Sequence, residues 1–341
     1  MPSGRRAVRL RTHASASVLL AVMVATAPSA KSPAPVHAQR YAMGTMFDIV
    51  VYHGSPAEAA RAIEAAFAEV TRLDGVMSNF KPESDLSALV RQARVGPVQV
   101  VPSLYEIIER STAVSRLTDG KFDVTIAPLL RVWKGAHAEG RQPDAAEVAA
   151  ARQCVGYAAI ETHPPDRIRF TSSCLDIDLG GIGKGYAVER ALFVLKSAGI
   201  EDAVVNAGGS SIGAIGAQPG NSGWPVHVGG DTPPGRTIEL RNMSIATSRQ
   251  ASAMPGDGVF SSGEILDPHL GTPAQSGTTV SIVAADATLA DALSTTLVML
   301  TIAEGRALLA RVPGVSALWF SPAGALEWAH NGPALQPRRQ P

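Results

Sequence analysis

Apolar positions change their spacing from segment to segment along this chain, and the spacing predicts the elements. Met46 to Tyr52 reads as a strand. From Ala57 to Leu73 the apolar residues Ile63, Phe67, Val70 and Leu73 recur at intervals of three and four, the stripe of an amphipathic helix. A second helix is predicted from Ser103. There Ser103 and Glu106 make a capping-box pattern, Leu104, Ile107, Ile108, Val114 and Leu117 supply the apolar face, and Gly120 follows the end. Strand-like runs return at Ala203 to Val205, Thr237 to Leu240, Thr278 to Ala284 and Ala317 to Phe320, with helices between some and Gly and Pro turns between others. The mixture predicts an α/β or α+β fold rather than a repeating βαβ series, and no internal repeat is visible.

A chain of 341 residues can bury a sizeable core as one large domain or two closely packed ones. Its 30 basic and 30 acidic side chains cancel, and no long basic run lies beyond the N-terminus, so a nucleic-acid surface has little electrostatic support. The substrate is expected to be a small molecule or a protein. At the N-terminus, Arg5, Arg6, Arg9 and Arg11 precede the apolar run Ser17 to Ala27, followed by the small-residue cleavage candidates Ala27-Pro28-Ser29-Ala30 and Val36-His37-Ala38. That order predicts a secretory signal over residues 1–38 and an exported, periplasmic protein, with retention at the inner membrane by an uncleaved signal as the alternative. Sec export is the default, and the Arg5-Arg6 pair also resembles a twin-arginine signal. The main domain is expected over 39–332, with a frayed tail over 333–341. Cys154 and Cys174 are the two cysteines, either bridged or two small buried apolar side chains.

Three segments carry candidate chemistry. In Asp178-Leu179-Gly180-Gly181-Ile182-Gly183-Lys184-Gly185-Tyr186, four glycines crowd around a lysine just before the helical pattern Tyr186 to Ala198, which Gly199 ends. Such a loop lets the backbone approach an anion at a helix N-terminus, and a tight strand-to-helix turn is the plainer alternative. The spacing fits neither the Walker nor the dinucleotide fingerprint. Asp291 and Thr295 stand four apart on one helix face, where both reach the same hard cation; Thr288 and Asp291 equally make a capping-box pattern for a helix running to Leu300. Asn206-Ala207-Gly208-Gly209-Ser210-Ser211 ends a strand in paired glycines, suited to close approach by a ligand or to a plain turn. Its Gly209-Ser210-Ser211-Ile212-Gly213 formally matches a nucleophile elbow, although the glycines that follow read as a strand rather than the required helix.

Taken together in order, these segments resemble the ApbE-type FAD:protein FMN transferases. The likeness covers nearly all of the chain after the leader. It rests on Met43-Gly44-Thr45, Met77-Ser78-Asn79-Phe80 with Ser84-Asp85-Leu86, Phe122-Asp123-Val124-Thr125 with Pro128-Leu129, and the Asp178 to Tyr186 loop. Asn206 to Gly209, Ala246-Thr247-Ser248, Ile265-Leu266-Asp267-Pro268 and Ala290-Asp291-Ala292-Leu293 with Thr295 complete it. The resemblance implies a mixed α/β, T-fold-related domain with a flavin groove between two lobes. It implies an enzyme that binds FAD and Mg²⁺, cuts the pyrophosphate, attaches FMN to a Thr or Ser of an acceptor protein and releases AMP. Carried over by position, the metal site is the Gly181 carbonyl, Asp291 and Thr295. The flavin site is Met43, Phe80, Phe122, Asp123, Asp178, Lys184 and Ile265, with Gly180, Gly208, Gly209 and Thr247 beside it. Asp291, Lys184 and Glu264 are the candidate catalytic residues.

The chain also departs from the pattern. Glu264 stands where the family usually has His, His269-Leu270 where it has Arg-Thr, Arg249 where it has Gly, and Ser210 where an acidic residue often follows the paired glycines. Glu264 can serve as the general base, or transfer is lost and a flavin-binding carrier remains. Hydrolysis of FAD to FMN and AMP at the same metal site is a third outcome, and a serine hydrolase using Ser211 a remote fourth.

Overall fold

The computed structural model describes residues 33–229, 236–250, 265–274, 277–321 and 326–332. Glu264, the tail from Pro333 and the expected leader up to Ser32 lie outside the described residues. In chain order the first elements are β1 (Pro35–Ala42), β2 (Thr45–Tyr52), α1 (Pro56–Met77), α2 (Asp85–Gln92), β3 (Val98–Gln99), α3 (Pro102–Leu117), α4 (Ala127–Ala138) and α5 (Ala145–Arg152). Then come β4 (Ile160–His163), β5 (Arg167–Phe170), α6 (Gly183–Ser197), β6 (Asp202–Ala207), β7 (Ser211–Ile215), β8 (Trp224–Val228), β9 (Arg236–Leu240) and β10 (Ser244–Arg249). The last are β11 (Leu266–Asp267), β12 (Thr272–Pro273), β13 (Thr279–Ala284), α7 (Ala287–Leu297), α8 (Ile302–Leu309), β14 (Ser316–Phe320) and β15 (Leu326–His330).

The mixed α/β class is as expected, and the main sheet is antiparallel throughout, in the order β1-β2-β6-β7-β10-β13-β14-β15. Its middle is covered on both faces. Every residue of β13 is buried. Val280, Ile282 and Ala284 pack with Ala290, Leu293 and Leu297 of α7, while Val283 meets Trp224, Val226, Ile238 and Leu240 of the β8–β9 ribbon on the other face. A strand covered on both faces has no solvent side, so the small polar residues Thr279 and Ser281 of β13 are buried along with its apolar ones. The strand predicted at Thr237 to Leu240 is β9, which pairs with β8 outside the main sheet.

The stripe Ile63, Phe67, Val70 and Leu73 is buried along α1, which packs against α6. Ser55 caps α1 by accepting from the Glu58 N–H, with Pro56 at the first position, so the helix starts one residue before the apolar pattern and runs on to Met77.

Several boundaries differ from expectation. β1 begins at Pro35 and pairs with β2 from Pro35↔Tyr52 onward, so residues 35–38, assigned to the leader by sequence, belong to the sheet. Helix α3 begins at Pro102 after Val101, and no side chain caps it. Ser103 is buried inside that helix, where its hydroxyl accepts from Arg72 (3.1 Å), and Glu106 accepts from the Tyr186 hydroxyl (2.8 Å). Helix α7 is capped by Asp286, which accepts from the Leu289 N–H, and ends at Leu297 rather than Leu300; Thr288 donates instead to Glu189. Cys154 and Cys174 are bridged, with Cα atoms 5.2 Å apart.

Candidate functional site

The glycine segment and α7 meet because their backbones can touch. A Cβ on Gly185, in the first turn of α6, would lie 2.3 Å from the Ala287 carbonyl oxygen and 2.6 Å from Asp291 Cβ. With nothing there, the Gly185 N–H donates to Asp291 Oδ2 at 2.7 Å. One turn further along α7, the Thr295 hydroxyl approaches the Gly181 carbonyl at 3.4 Å. The i, i+4 spacing of Asp291 and Thr295 therefore does face the loop. Helix α6 starts at Gly183 rather than Tyr186, so Lys184 sits in its first turn, with Nζ 3.5 Å from the Gly180 carbonyl. Asp178 shapes the loop from its other end, accepting from the Gly180 N–H and from Asn79 Nδ2, each at 2.7 Å.

These groups border a cavity of about 480 Å³, within the usual range for small-molecule sites. It is lined by Met43, Phe80, Phe122, Asp123, Asp178, Gly180, Gly181, Lys184, Thr247, Ile265, Asp291 and Thr295, twelve positions singled out from the sequence. Gly208 and Gly209 do not line it. They form the β6–β7 turn, where Gly209 donates to Asn206 Oδ1 (2.7 Å) and Gly208 to the Met46 carbonyl (2.9 Å). A Cβ on Gly208, at φ +59°, would fall 1.9 Å from Thr45 Oγ1, so its need for glycine is steric, and Ser210, the residue after Gly209, reaches the cavity instead. Asp123 lines the cavity with its acceptors already engaged. It takes bonds from the Thr125 N–H (2.8 Å), the Thr125 hydroxyl (2.7 Å) and the Tyr157 N–H (2.8 Å). Burial pushes its carboxyl up, against those three bonds.

Sequence reasoning overlooked Lys121, Lys134, Ser248 and Met299, which also line the cavity. Lys121 is held by Asp267 at 2.6 Å, and Lys134 lies 5.7 Å over the Phe80 ring. No spacing in the sequence tied Lys134, on α4, to the other candidate residues. Arg249, noted as a departure, lines the cavity as well, its Nε 3.3 Å from Thr279 Oγ1.

Asp291 is 4 % exposed. Burial pushes its carboxyl above the usual range, while the Lys184 charge, the Gly185 N–H and the Ser211 hydroxyl act the other way. Among the described residues no group of three His, Cys, Asp or Glu side chains is placed to hold a metal. A cation here would have one carboxylate, one hydroxyl and one carbonyl, an all-oxygen set that suits Mg²⁺ when phosphate and water complete the shell. Asp291 has an oxygen beyond the one bound by Gly185, so the residues present fit such an ion.

The sequence profile of the ApbE family matches residues 43–319. The chain belongs to the ApbE family. It is 29 % identical over 301 residues to a protein of Treponema pallidum named FAD:protein FMN transferase, covering 82 % of this chain and 83 % of that one. It is 26 % identical to one of the same name from Salmonella typhimurium over 84 % of this chain and 85 % of the other. The crystal structure of the ApbE protein from Thermotoga maritima superimposes with a TM-score of 0.74 at 30 % identity, over 86 % of this chain and 96 % of that one. The flavinyl transferase ApbE of Pseudomonas stutzeri, 24 % identical, gives a TM-score of 0.77 over 88 % and 95 % and so shares the fold. Within this ApbE chain the nucleophile-elbow alternative fails, because Ser211 opens the strand β7 rather than a helix and its side chain is buried.

Proposed function

We propose that this chain is an exported, Mg²⁺-dependent FAD:protein FMN transferase. The observation that carries the reading is the contact of the glycine loop with α7. Gly185 N–H on Asp291 and Thr295 beside the Gly181 carbonyl collect hard oxygen ligands and a lysine at one end of a cavity that has Phe80 and Phe122 in its wall. The relatives' shared name supports the same activity. Asp291, the Thr295 hydroxyl and the Gly181 carbonyl would hold the Mg²⁺, which neutralises charge on the pyrophosphate. Lys184 and the first N–H groups of α6 orient the phosphates, and Phe80 and Phe122 offer ring faces and edges to the flavin.

The acceptor's Thr or Ser oxygen attacks the phosphorus on the FMN side of FAD. A new P–O bond forms, the bond to the bridging oxygen breaks, and AMP leaves with that oxygen. The acceptor's proton passes to a base, the role proposed for Glu264. Export follows from the basic and then apolar N-terminus. Cleavage after Ala30 would leave β1 whole, whereas cleavage after Ala38 would remove half of it. We therefore favour the earlier site and a periplasmic location.

Arg249 favours a second reading. A long cation in the cavity wall, anchored to β13, takes up space inside the cavity, as in a flavin carrier that no longer transfers. The deciding experiment incubates the purified chain with FAD, Mg²⁺ and a fused acceptor peptide bearing a Thr, then reads covalent flavin by in-gel fluorescence and intact mass. An FMN-sized increase that disappears in Asp291→Ala is expected. Tight FAD binding with no increase would establish the carrier, and free FMN without labelling the pyrophosphatase.

A further inference from the structure

Ser211 is 1 % exposed, and its hydroxyl has no hydrogen-bond partner among the described residues. The other hydroxyls around Asp291 do have one. Ser248 pairs with Ser294 at 2.7 Å, Ser294 also reaches the Asp291 carbonyl at 2.9 Å, Thr247 pairs with Ser281 at 2.8 Å, and Thr295 approaches the Gly181 carbonyl. An unpaired buried hydroxyl lowers stability unless something else uses it.

Its position says what that is. Ser211 shares a sheet face with Gly213, where an added Cβ would strike Leu192 and Val188 of α6, so the Ser211 side chain points into the helical layer. Helix α7 packs on β7 there, and the Ser211 hydroxyl faces the Asp291 carboxyl without completing a hydrogen bond to it. Asp291 has one backbone donor, on Oδ2. A buried donor lacking an acceptor thus lies beside a carboxyl group whose support is incomplete.

We propose that Ser211 is a positioning residue of the cation centre: with a divalent cation bound, its O–H donates to the Asp291 carboxylate and holds it toward Thr295 and the Gly181 carbonyl. The inference rests on the cation reading of the proposed function. Supporting hydrogen bonds of this kind orient metal ligands, and losing one typically costs about tenfold or more in metal affinity. Ser211 touches neither substrate nor metal in this role.

The test titrates the full chain and its Ser211→Ala, Ser211→Thr and Asp291→Ala variants with Mn²⁺, with and without FAD, reading free Mn²⁺ by electron paramagnetic resonance. Melting curves are recorded alongside in metal-free buffer. Ser211→Ala is expected to bind Mn²⁺ about tenfold more weakly while its metal-free melting temperature stays level or rises, because the substitution removes a polar group that lacks a partner. Ser211→Thr, which keeps the hydroxyl, is expected to bind like the wild type. A merely structural serine would lower both readings together in Ser211→Ala, and that result overturns the proposal. Unchanged Mn²⁺ affinity in Ser211→Ala with loss in Asp291→Ala overturns it and leaves the cation site standing. No Mn²⁺ binding by the wild type in either condition removes the cation site and this proposal with it.

Discussion

Where the glycine loop meets α7, Asp291 is 4 % exposed and a methyl group on Gly185 would sit 2.3 Å from a backbone carbonyl oxygen; elsewhere in the lining of the same cavity, Phe80 is 81 % exposed and Lys134 lies 5.7 Å over its ring. The first wall has no slack, and the second is set by side chains that solvent reaches. The contrast suits the two kinds of ligand in the proposed function. A hard cation and a phosphate are held by short oxygen contacts whose geometry must be in place beforehand, so the backbone itself is fixed. A flat ring, or an incoming polypeptide, is met by surface that can adjust.

Gly185→Ala is the strongest way to break the comparison. The obstructing atoms belong to the α7 backbone, so α6 and α7 must separate, at about 3 kcal/mol or more by the scale of overpacked cores. Separation would also part the Gly185 N–H from Asp291. Urea unfolding and Mg²⁺-dependent labelling are therefore expected to fail together. A variant that unfolds like the wild type would show this wall to be softer than its contacts imply.

The closed wall was also the more legible in the sequence, for a physical reason. A loop whose backbone must approach another backbone shows that need as glycines, and the i, i+4 pair on α7 shows its shared face by spacing alone. The same logic misled at the capping boxes. Ser103 and Thr288 carry the right residue types, but tertiary partners claim them, Arg72 from α1 and Glu189 from α6, and no local pattern reveals such partners. β1 went unnoticed because its residues alternate between exposed and half-buried positions and only Ala42 is buried, leaving a weak apolar signal in Pro35–Ala42. Lys121 and Lys134 could be assigned to the cavity only once the fold had laid α4 and the segment after α3 along its open side.

Lys121, which lines the cavity, pairs with Asp267, and the two side chains are 24 % and 6 % exposed. Burial alone would raise the Asp267 carboxyl, but the Lys121 ammonium and the N–H groups of His269 and Leu270 outweigh it, so the folded value lies below the ordinary one. The pair therefore stabilises the fold above the unfolded carboxylate value of about 4, and the gain is lost as pH falls through the lower folded value. Lys121→Met is expected to cost about 1 to 2 kcal/mol at pH 7, by the usual loss for a buried charged hydrogen bond. Melting curves from pH 7 down to 2 should show the gap from wild type closing below about pH 4. A gap independent of pH would mean that the lysine acts through packing of its stem.

Phe80→Ala is expected to change stability least and to sharpen the comparison most. An 81 %-exposed ring contributes little to the core, so the unfolding free energy should stay within about 0.5 kcal/mol of wild type. The same ring lines the cavity, and a stacked aromatic contact is worth about 1 kcal/mol beyond the area it buries, so the Kd for FAD should rise by about fivefold to tenfold. Flavin fluorescence quenching measures it directly. If FAD binds unchanged while labelling of the acceptor falls, the open wall receives the acceptor rather than the flavin. Lys134, over that ring, would then belong to the protein-binding side of the cavity, and the division between a rigid phosphate wall and an adaptable partner wall would be sharper than the cavity's shape alone conveys.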